Sequence, residues 1–280
     1  EHHYGPEQHG FRKGHSTVSL LHILEAVIHT SMTNNKEVAI VQIDVVKAFD
    51  KVHRGALTSF AKHIIQGVAP EAATFIESMY NGDEVTISFG KATKTITMKS
   101  GIRQGDPLSP ALFSALVGHI LRPLIIRWKA KGWGAELDPA QPGERITLLA
   151  YADDVTAFAA SRNQASAMIN EMTAALEGTN LRLLPEKCSS LWSKAPAGTE
   201  TAKIDLGTES IPILGSLVVL GQDISFNKGS MHSFQHRLRQ AWKTAHANAI
   251  LLRSTTMSHG ARIRLLQALV KPSLLYGAET

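Results

Sequence analysis

The chain has one cysteine, Cys188, in 280 residues. That excludes an internal disulfide and any zinc site built on several thiolates, and it fits a reducing compartment. No apolar run approaches the length of a membrane span and no signal pattern opens the sequence, so no membrane partner is expected. Internal repeats and low-complexity tracts are absent. Acids are scarce near the end. After Asp223 only Glu279 remains, against Lys228, Arg237, Arg239, Lys243, Arg253, Arg262, Arg264 and Lys271. There is no initiating Met, and the start at Glu1 and the end at Ala278-Glu279-Thr280 read as those of a fragment. His2-His3 with His9 has ligand chemistry but no fixed geometry, so a solvated terminus is the favoured reading.

What is present is core. Hydrophobic residues make up 44 % of the chain, enough for one large domain or two smaller ones, and the net charge of +5 suits a polyanionic partner. Ser16 or Thr17 caps a helix carrying Val18, Leu21, Leu24, Ala26, Val27 and Ile28, to about Met32. Val38 to Ile43 reads as a buried strand that delivers Asp44 at its end. A helix with Leu57, Phe60, Ala61, Ile64 and Ile65 follows, then one with Phe75, Ile76, Met79 and Tyr80. Val85, Ile87 and Phe89 alternate, as do Ile96 and Met98, which predicts a hairpin. Ser109-Pro110 reads as a cap and first position of a helix that Pro123 bends or ends. Met168, Ile169, Met172, Ala175 and Leu176 mark another helix. Leu181–Leu184 and Ser190–Trp192 read as edge strands around Pro185-Glu186-Lys187. Pro196–Asp205 is a polar linker, and after Leu217–Gly221 the chain reads helical. The expected architecture is α+β: a mixed sheet with helices on one face, then a basic helical module.

The chain is organised around Tyr151-Ala152-Asp153-Asp154. Ile146–Ala150 and Val155–Ala159 read as buried strands, so the two acids fall at a hairpin tip. Adjacent carboxylates raise each other's proton affinity unless a cation offsets them, and a divalent metal makes the doublet favourable. A plain surface turn is the competing reading. Asp44 closes a strand 109 positions earlier. If the strands are neighbours, three carboxylates meet at one sheet end, a cluster suited to two Mg²⁺ ions flanking a phosphoryl centre.

These residues resemble a family. Asp44-Val45-Val46-Lys47-Ala48-Phe49-Asp50 is similar to motif A of reverse transcriptases, Gly101 to Pro110 to motif B, and Tyr151 to Asp154 to motif C. The Ala48-Phe49-Asp50 phrase, Gln8-His9-Gly10-Phe11-Arg12 and Leu275-Tyr276-Gly277-Ala278-Glu279-Thr280 resemble the reverse transcriptase domain of non-LTR (LINE-type) retrotransposons most. A lone Tyr-x-Asp-Asp is weak, but four motifs in family order are specific. The resemblance implies a right-hand polymerase palm with partial fingers over 1–222 and a helical, basic thumb over 223–280.

It further implies RNA-directed DNA synthesis from deoxynucleoside triphosphates on an RNA template and a DNA primer. Asp44 and Asp153 would hold two Mg²⁺ ions, or Mn²⁺ as a substitute, with Asp154 a weaker ligand and Val45 adding a carbonyl. Gln104 and Gly105 would line the nucleotide and template. Lys187 would protonate the departing pyrophosphate, or be a solvated turn lysine. Arg103 would meet the triphosphate or template, or form an ordinary ion pair. Leu220-Gly221 would grip the primer end, or be a plain hairpin turn. Phe49 would lie under the sugar and exclude a 2′-hydroxyl, the group that tells RNA from DNA, or be core. Arg237, Arg239 and Lys243 would track phosphate.

An earlier finger block, an endonuclease and a C-terminal nucleic-acid-binding region that autonomous elements carry are expected in the parent polyprotein and are missing here. A truncated, inactive remnant that at most binds nucleic acid is the alternative, and a group II intron-like maturase a minor one. Nuclear or ribonucleoprotein localisation would follow only from an active parent.

Overall fold

Ala39-Ile40-Val41-Gln42-Ile43 forms the strand on which the two halves of the core meet. Its branched residues suit a pleated backbone buried on both faces, and all but Gln42 are fully buried. The computed structural model describes residues 5, 7–45, 48–137, 143–195, 202–227 and 229–278. His2-His3, Val46-Lys47, residues 196–201 of the linker, Lys228 and Glu279 lie outside the described residues.

In chain order, α1 (Thr17–Thr33) leads to β1 (Ala39–Ile43). Next come α2 (Ala48–Lys51), α3 (Arg54–Phe60) with a π-helical turn over Ala61–Ile65, and α4 (Pro70–Tyr80). The hairpin β2 (Glu84–Phe89) and β3 (Ala92–Thr97) precedes the long α5 (Leu108–Ala130). A short ribbon, β4 (Ala135–Glu136) with β5 (Arg145–Ile146), comes before β6 (Leu148–Tyr151) and β7 (Asp154–Ala159). Then follow α6 (Arg162–Glu177), β8 (Ser189–Trp192), the pair β9 (Lys203–Asp205) and β10 (Ser210–Pro212), and the pair β11 (Leu217–Val219) and β12 (Gln222–Ile224). The rest is helical: α7 (Gly229–Ala247), α8 (Ala249–Leu252), α9 (His259–Leu265), a π-helical stretch over Leu266–Val270, and α10 (Lys271–Leu275). β12 straddles the 222/223 division expected from the sequence.

The main sheet has the order β6-β7-β1-β8 with every strand pair antiparallel. This corrects the expectation of a mixed sheet; among the described residues parallel pairing is confined to isolated bridges, Gln8 with Ala150 and Ser190 with Ile213. Helices on one face is also corrected. Val41, Ile43, Val155 and Ala157 face α5 and α6, while Ile40, Leu149 and Phe158 lie under Leu21, Leu24 and Val27 of α1. Alternation along a strand sends neighbours to opposite faces, and here both faces are covered.

Ser16 caps α1, accepting from Ser19 N–H at 3.2 Å, as the sequence indicates. At α5 the start differs. Leu108 N–H donates to the Asp106 carboxylate at 2.9 Å, so capping falls at Asp106 and Ser109 is drawn inside the helix and buried. Pro123 lies within α5, which continues to Ala130 instead of ending there. By length and composition α5 is apolar enough to cross a membrane, against the expectation that no run approaches that length. More than half of its most apolar stretch is buried in the core, with Leu112, Phe113, Leu116 and Trp128 among the buried residues. The expected β2–β3 hairpin forms, but both of its strands are exposed along their length.

Candidate active site

Asp44 follows β1 directly, and Asp154 opens β7, the neighbouring strand. The register Ile43 opposite Val155, carried one step further, sets Asp44 across from Asp154. Tyr151 pairs with Asp154, which leaves Ala152 and Asp153 as a two-residue turn. Of the doublet, Asp153 therefore sits on the turn and Asp154 already belongs to the strand. Ala152 has φ +59°, the sign that two-residue hairpin turns adopt to match strand twist. The three carboxylates are exposed, while Val45, Ala152 and Val155 beside them are buried.

Asp154 records this crowding. Lost hydration at the strand end, then the negative charges of Asp153 and Asp44, push its carboxyl above the usual carboxylate range. Because the residue keeps much of its exposure, the two neighbouring charges are the firmer cause. Such a set is the hard, anionic oxygen chemistry that a divalent cation takes, so the residues fit a metal in kind. In the conformation described they do not yet converge. Among the described residues, no three His, Cys, Asp or Glu side chains stand close enough to hold one ion.

Residues 183–188 border the same end of the sheet. Val45 bridges Leu183, and Leu184 N–H donates to Asp44 O at 3.4 Å. The 185–187 turn then bulges out before β8 resumes pairing with β1, and Lys187 is exposed on that bulge. Leu181–Leu184 is thus not the expected edge strand beyond its single bridge. Burial pushes the Cys188 thiol up, and its hydrogen bond to the Asp44 backbone works in the opposite direction.

The Gly101–Pro107 loop is stitched to the segment after Asp44. Ile102 N–H donates to Phe49 O at 2.8 Å and Gly101 N–H to Val52 O at 2.9 Å. Gly101 has φ +91°, and a Cβ there would come within 3.2 Å of Asp50 O, so the close approach needs glycine. Gln104 Nε2 donates to Asp50 Oδ1 at 2.9 Å, which places Asp50 as a holder of Gln104. Gln104 and Gly105 are exposed. Arg103 forms the ordinary ion pair, with Asp83 at 2.9 Å. Asp83 also binds the buried Arg54 at 2.7 Å, and these hydrogen bonds, Arg54's first, hold its carboxyl below the usual range. Phe49 is half-buried, with its ring stacked on Phe113 at 4.4 Å between centroids.

Leu220 and Gly221 form the β11–β12 turn, both at positive φ. Tyr276 O–H donates to Leu220 O at 2.7 Å, so the α10 end holds this turn. Arg239 and Lys243 are exposed on α7. Arg237 differs from the expected phosphate-facing cation: its guanidinium donates to Gly277 O and Ser233 Oγ, both at 3.1 Å. Gln8 and Tyr276, not among the expected site residues, touch the two site turns. The signal was their place in family phrases, without any indication of contact.

The model of one protein family, described as reverse transcriptase (RNA-dependent DNA polymerase), matches residues 2–217, and the chain belongs to that family. It is similar to the Retrovirus-related Pol polyprotein from type-1 retrotransposable element R2 of Nasonia vitripennis, at 30 % identity over 64 % of this chain and 16 % of the relative. It is similar also to the type-2 element R2DM polyprotein of Drosophila melanogaster, at 24 % identity over 75 % of this chain and 20 % of the relative. The chain therefore spans a fifth or less of the length of these relatives. Among solved structures, apo telomerase from Candida tropicalis aligns over 79 % of this chain and 36 % of that chain, with TM-score 0.56 and 12 % identity, a likeness of fold. The relatives bear out the resemblance to non-LTR retrotransposon reverse transcriptases, and the solved structure a mixed helix-and-sheet polymerase fold. Reverse transcriptases use divalent metal ions, in keeping with the donor chemistry at Asp44, Asp153 and Asp154.

The raised proton affinity of Asp154 has a measurable sign. The folded state holds this proton more tightly than the unfolded chain, so the penalty is absent below the unfolded carboxylate value and complete above the raised folded one. In chelator at neutral pH, Asp154→Asn is therefore expected to melt at a higher temperature than the unaltered protein, with the gap closing as pH falls through the carboxylate range. Divalent metal should raise the melting temperature of the unaltered protein more than that of the variant. Calorimetry across pH checks both, and equal melting temperatures at neutral pH would show that the carboxylates do not repel.

Proposed function

We propose that this chain performs RNA-directed DNA synthesis for a non-LTR retroelement, transferring a deoxynucleotide from its triphosphate to a primer 3′-hydroxyl on an RNA template. The observation that supports this most is the register that sets Asp44 opposite Asp154, next to Asp153, at one end of adjacent antiparallel strands in a chain of this family. Residues 1–222 are partial fingers and palm, and 223–280 a thumb-like segment. Asp44 and Asp153, with Asp154 beside them and the Val45 carbonyl, would hold two Mg²⁺ ions, or Mn²⁺. When bound, such ions polarise the phosphoryl centre and stabilise the attacking and leaving oxygens.

The chain's own side chains do the rest. Lys187, on the bulge beside Asp44, gives a proton to the departing pyrophosphate. Gln104, held by Asp50, and Gly105 line the nucleotide and template. Arg103 reaches the triphosphate or template only by leaving Asp83. Phe49, backed by Phe113, closes the space under the sugar. Leu220 and Gly221 seat the primer end, and Arg239 and Lys243 follow its phosphates. A remnant that only binds nucleic acid is the second reading; it draws on the unconverged carboxylates and expects no extension by the unaltered protein.

Asp153→Asn in the full-length polyprotein should lower Mg²⁺-dependent primer extension by roughly three orders of magnitude, with template–primer affinity nearly unchanged, because charge is removed and fold is not. Near-normal extension by that variant would sink the metal assignment. Phe49→Val should raise the ribonucleotide-to-deoxynucleotide ratio of kcat/KM by about two orders of magnitude, since each ~1.4 kcal/mol of relieved clash is tenfold. An unchanged ratio in a folded, active variant makes Phe49 core only. Replacing Arg239 and Lys243 with Gln should make the dependence of log affinity on log salt shallower by about one to two units, one per lost phosphate contact. Arg237→Gln should lower the melting temperature instead, and an unaltered slope for the pair would remove α7 from the nucleic-acid surface.

A further inference from the structure

The Gln8–Arg12 phrase has no part in the reaction described so far, yet it touches the central turn. The backbone of Glu7–His9 runs beside β6, where Ala150 N–H donates to Glu7 O and His9 N–H to Ala150 O, each at 2.8 Å. This lays the carboxamide of Gln8, a residue only 2 % exposed, against Ala152. Gln8 Nε2 donates to Ala152 O at 3.2 Å. Its Oε1 accepts from Ala152 N–H at 3.1 Å and from Gly10 N–H at 2.9 Å. Both backbone polar groups of Ala152 thus end on one buried side chain.

Ala152 needs such support. At φ +59° it occupies the left-handed region, where a Cβ crowds the following carbonyl and glycine or asparagine is the usual choice. A non-glycine residue persists there when its surroundings over-determine it. The approach is so close that a Cβ on Gly10 would lie 2.3 Å from Ala152 N. The next residue along the chain is Asp153.

We propose that Gln8 is a positioning residue for Asp153: its carboxamide locks the Ala152 peptide in the left-handed conformation and so fixes the direction in which the Asp153 carboxylate leaves the turn. The role in synthesis rests on the reading of Asp153 as a metal-holding residue, whereas the lock on the turn is independent of it.

The test uses the full-length polyprotein with Gln8→Met, which keeps the length of the side chain and removes its hydrogen bonds. Amide hydrogen exchange over Tyr151–Asp153 should speed up at least tenfold while exchange along Val155–Ala159 stays slow. The kcat for primer extension should fall by about 10- to 100-fold with the KM for template–primer little changed, the size expected for a small misplacement of a reacting group. Measured again in an Ala152→Gly background, where the left-handed conformation carries no Cβ penalty, the same substitution should cost several-fold less. Unchanged exchange over the turn overturns the lock, and equal kcat losses in both backgrounds overturn the route through Ala152. Faster exchange with unaltered kcat overturns the positioning role; the assignment of Asp153 is judged separately by Asp153→Asn. If Gln8→Met does not fold, Gln8→Asn, one methylene shorter, withdraws the amide from Ala152 and is held to the same outcomes.

Discussion

Mutual repulsion of carboxylates at one end of a buried sheet is the constraint that the surrounding structure has to satisfy. Asp44 and Asp154 face each other because β1 and β7 are locked in register by apolar side chains on both faces. A slip of one residue would send every such side chain to the wrong face, so core burial fixes the acids' positions far more strongly than their repulsion can undo. The sequence places charge where the fold does not yield, and the raised proton affinity of Asp154 is what remains. A cation is the partner that turns that cost into affinity.

The loops around this end are set by close backbone contact. Gly101 fits against Asp50 O, the 185–187 bulge hangs from Leu184 beside Asp44, and Gln104 is oriented by Asp50. Each neutral hydrogen bond contributes only about 1 kcal/mol net. Their value here is direction: several segments distant in sequence are made to end at one place.

What could be read from sequence follows from which forces leave periodic traces. The strand ending at Asp44 and the hairpin carrying Asp153-Asp154 were legible, because burial on both faces writes short, branched apolar runs. The α1 stripe showed that the helix has an apolar side but not which sheet face it covers, hence the misplaced second layer. The start of α5 is misread at Ser109 because Asp106 is a capping type as well, and the choice between such residues lies in the conformation of the loop before the helix. Arg237 looked like its exposed neighbours Arg239 and Lys243, and only the return of Gly277 to α7 distinguishes it. The family motifs carried the functional reading further than periodicity could, but they said nothing of contacts between motifs.

Those contacts share one design. Two of the turns given a part in the proposed chemistry, at Ala152 and Leu220, each hold a non-glycine residue at positive φ. Each is also held by a side chain from a segment outside its own hairpin, Gln8 in one case and Tyr276 in the other. Glycine would adopt either turn without strain, but it would also leave the turn more conformations to explore. An alanine or leucine under an external clamp gives a narrower turn, at the cost of depending on the clamp. A two-residue turn that must aim a carboxylate, or seat a primer end, gains from that narrowness, since catalytic groups lose effect when misplaced by about 1 Å. It follows that the accuracy of these two turns is set in part by two short segments outside their hairpins, one before α1 and one after α10.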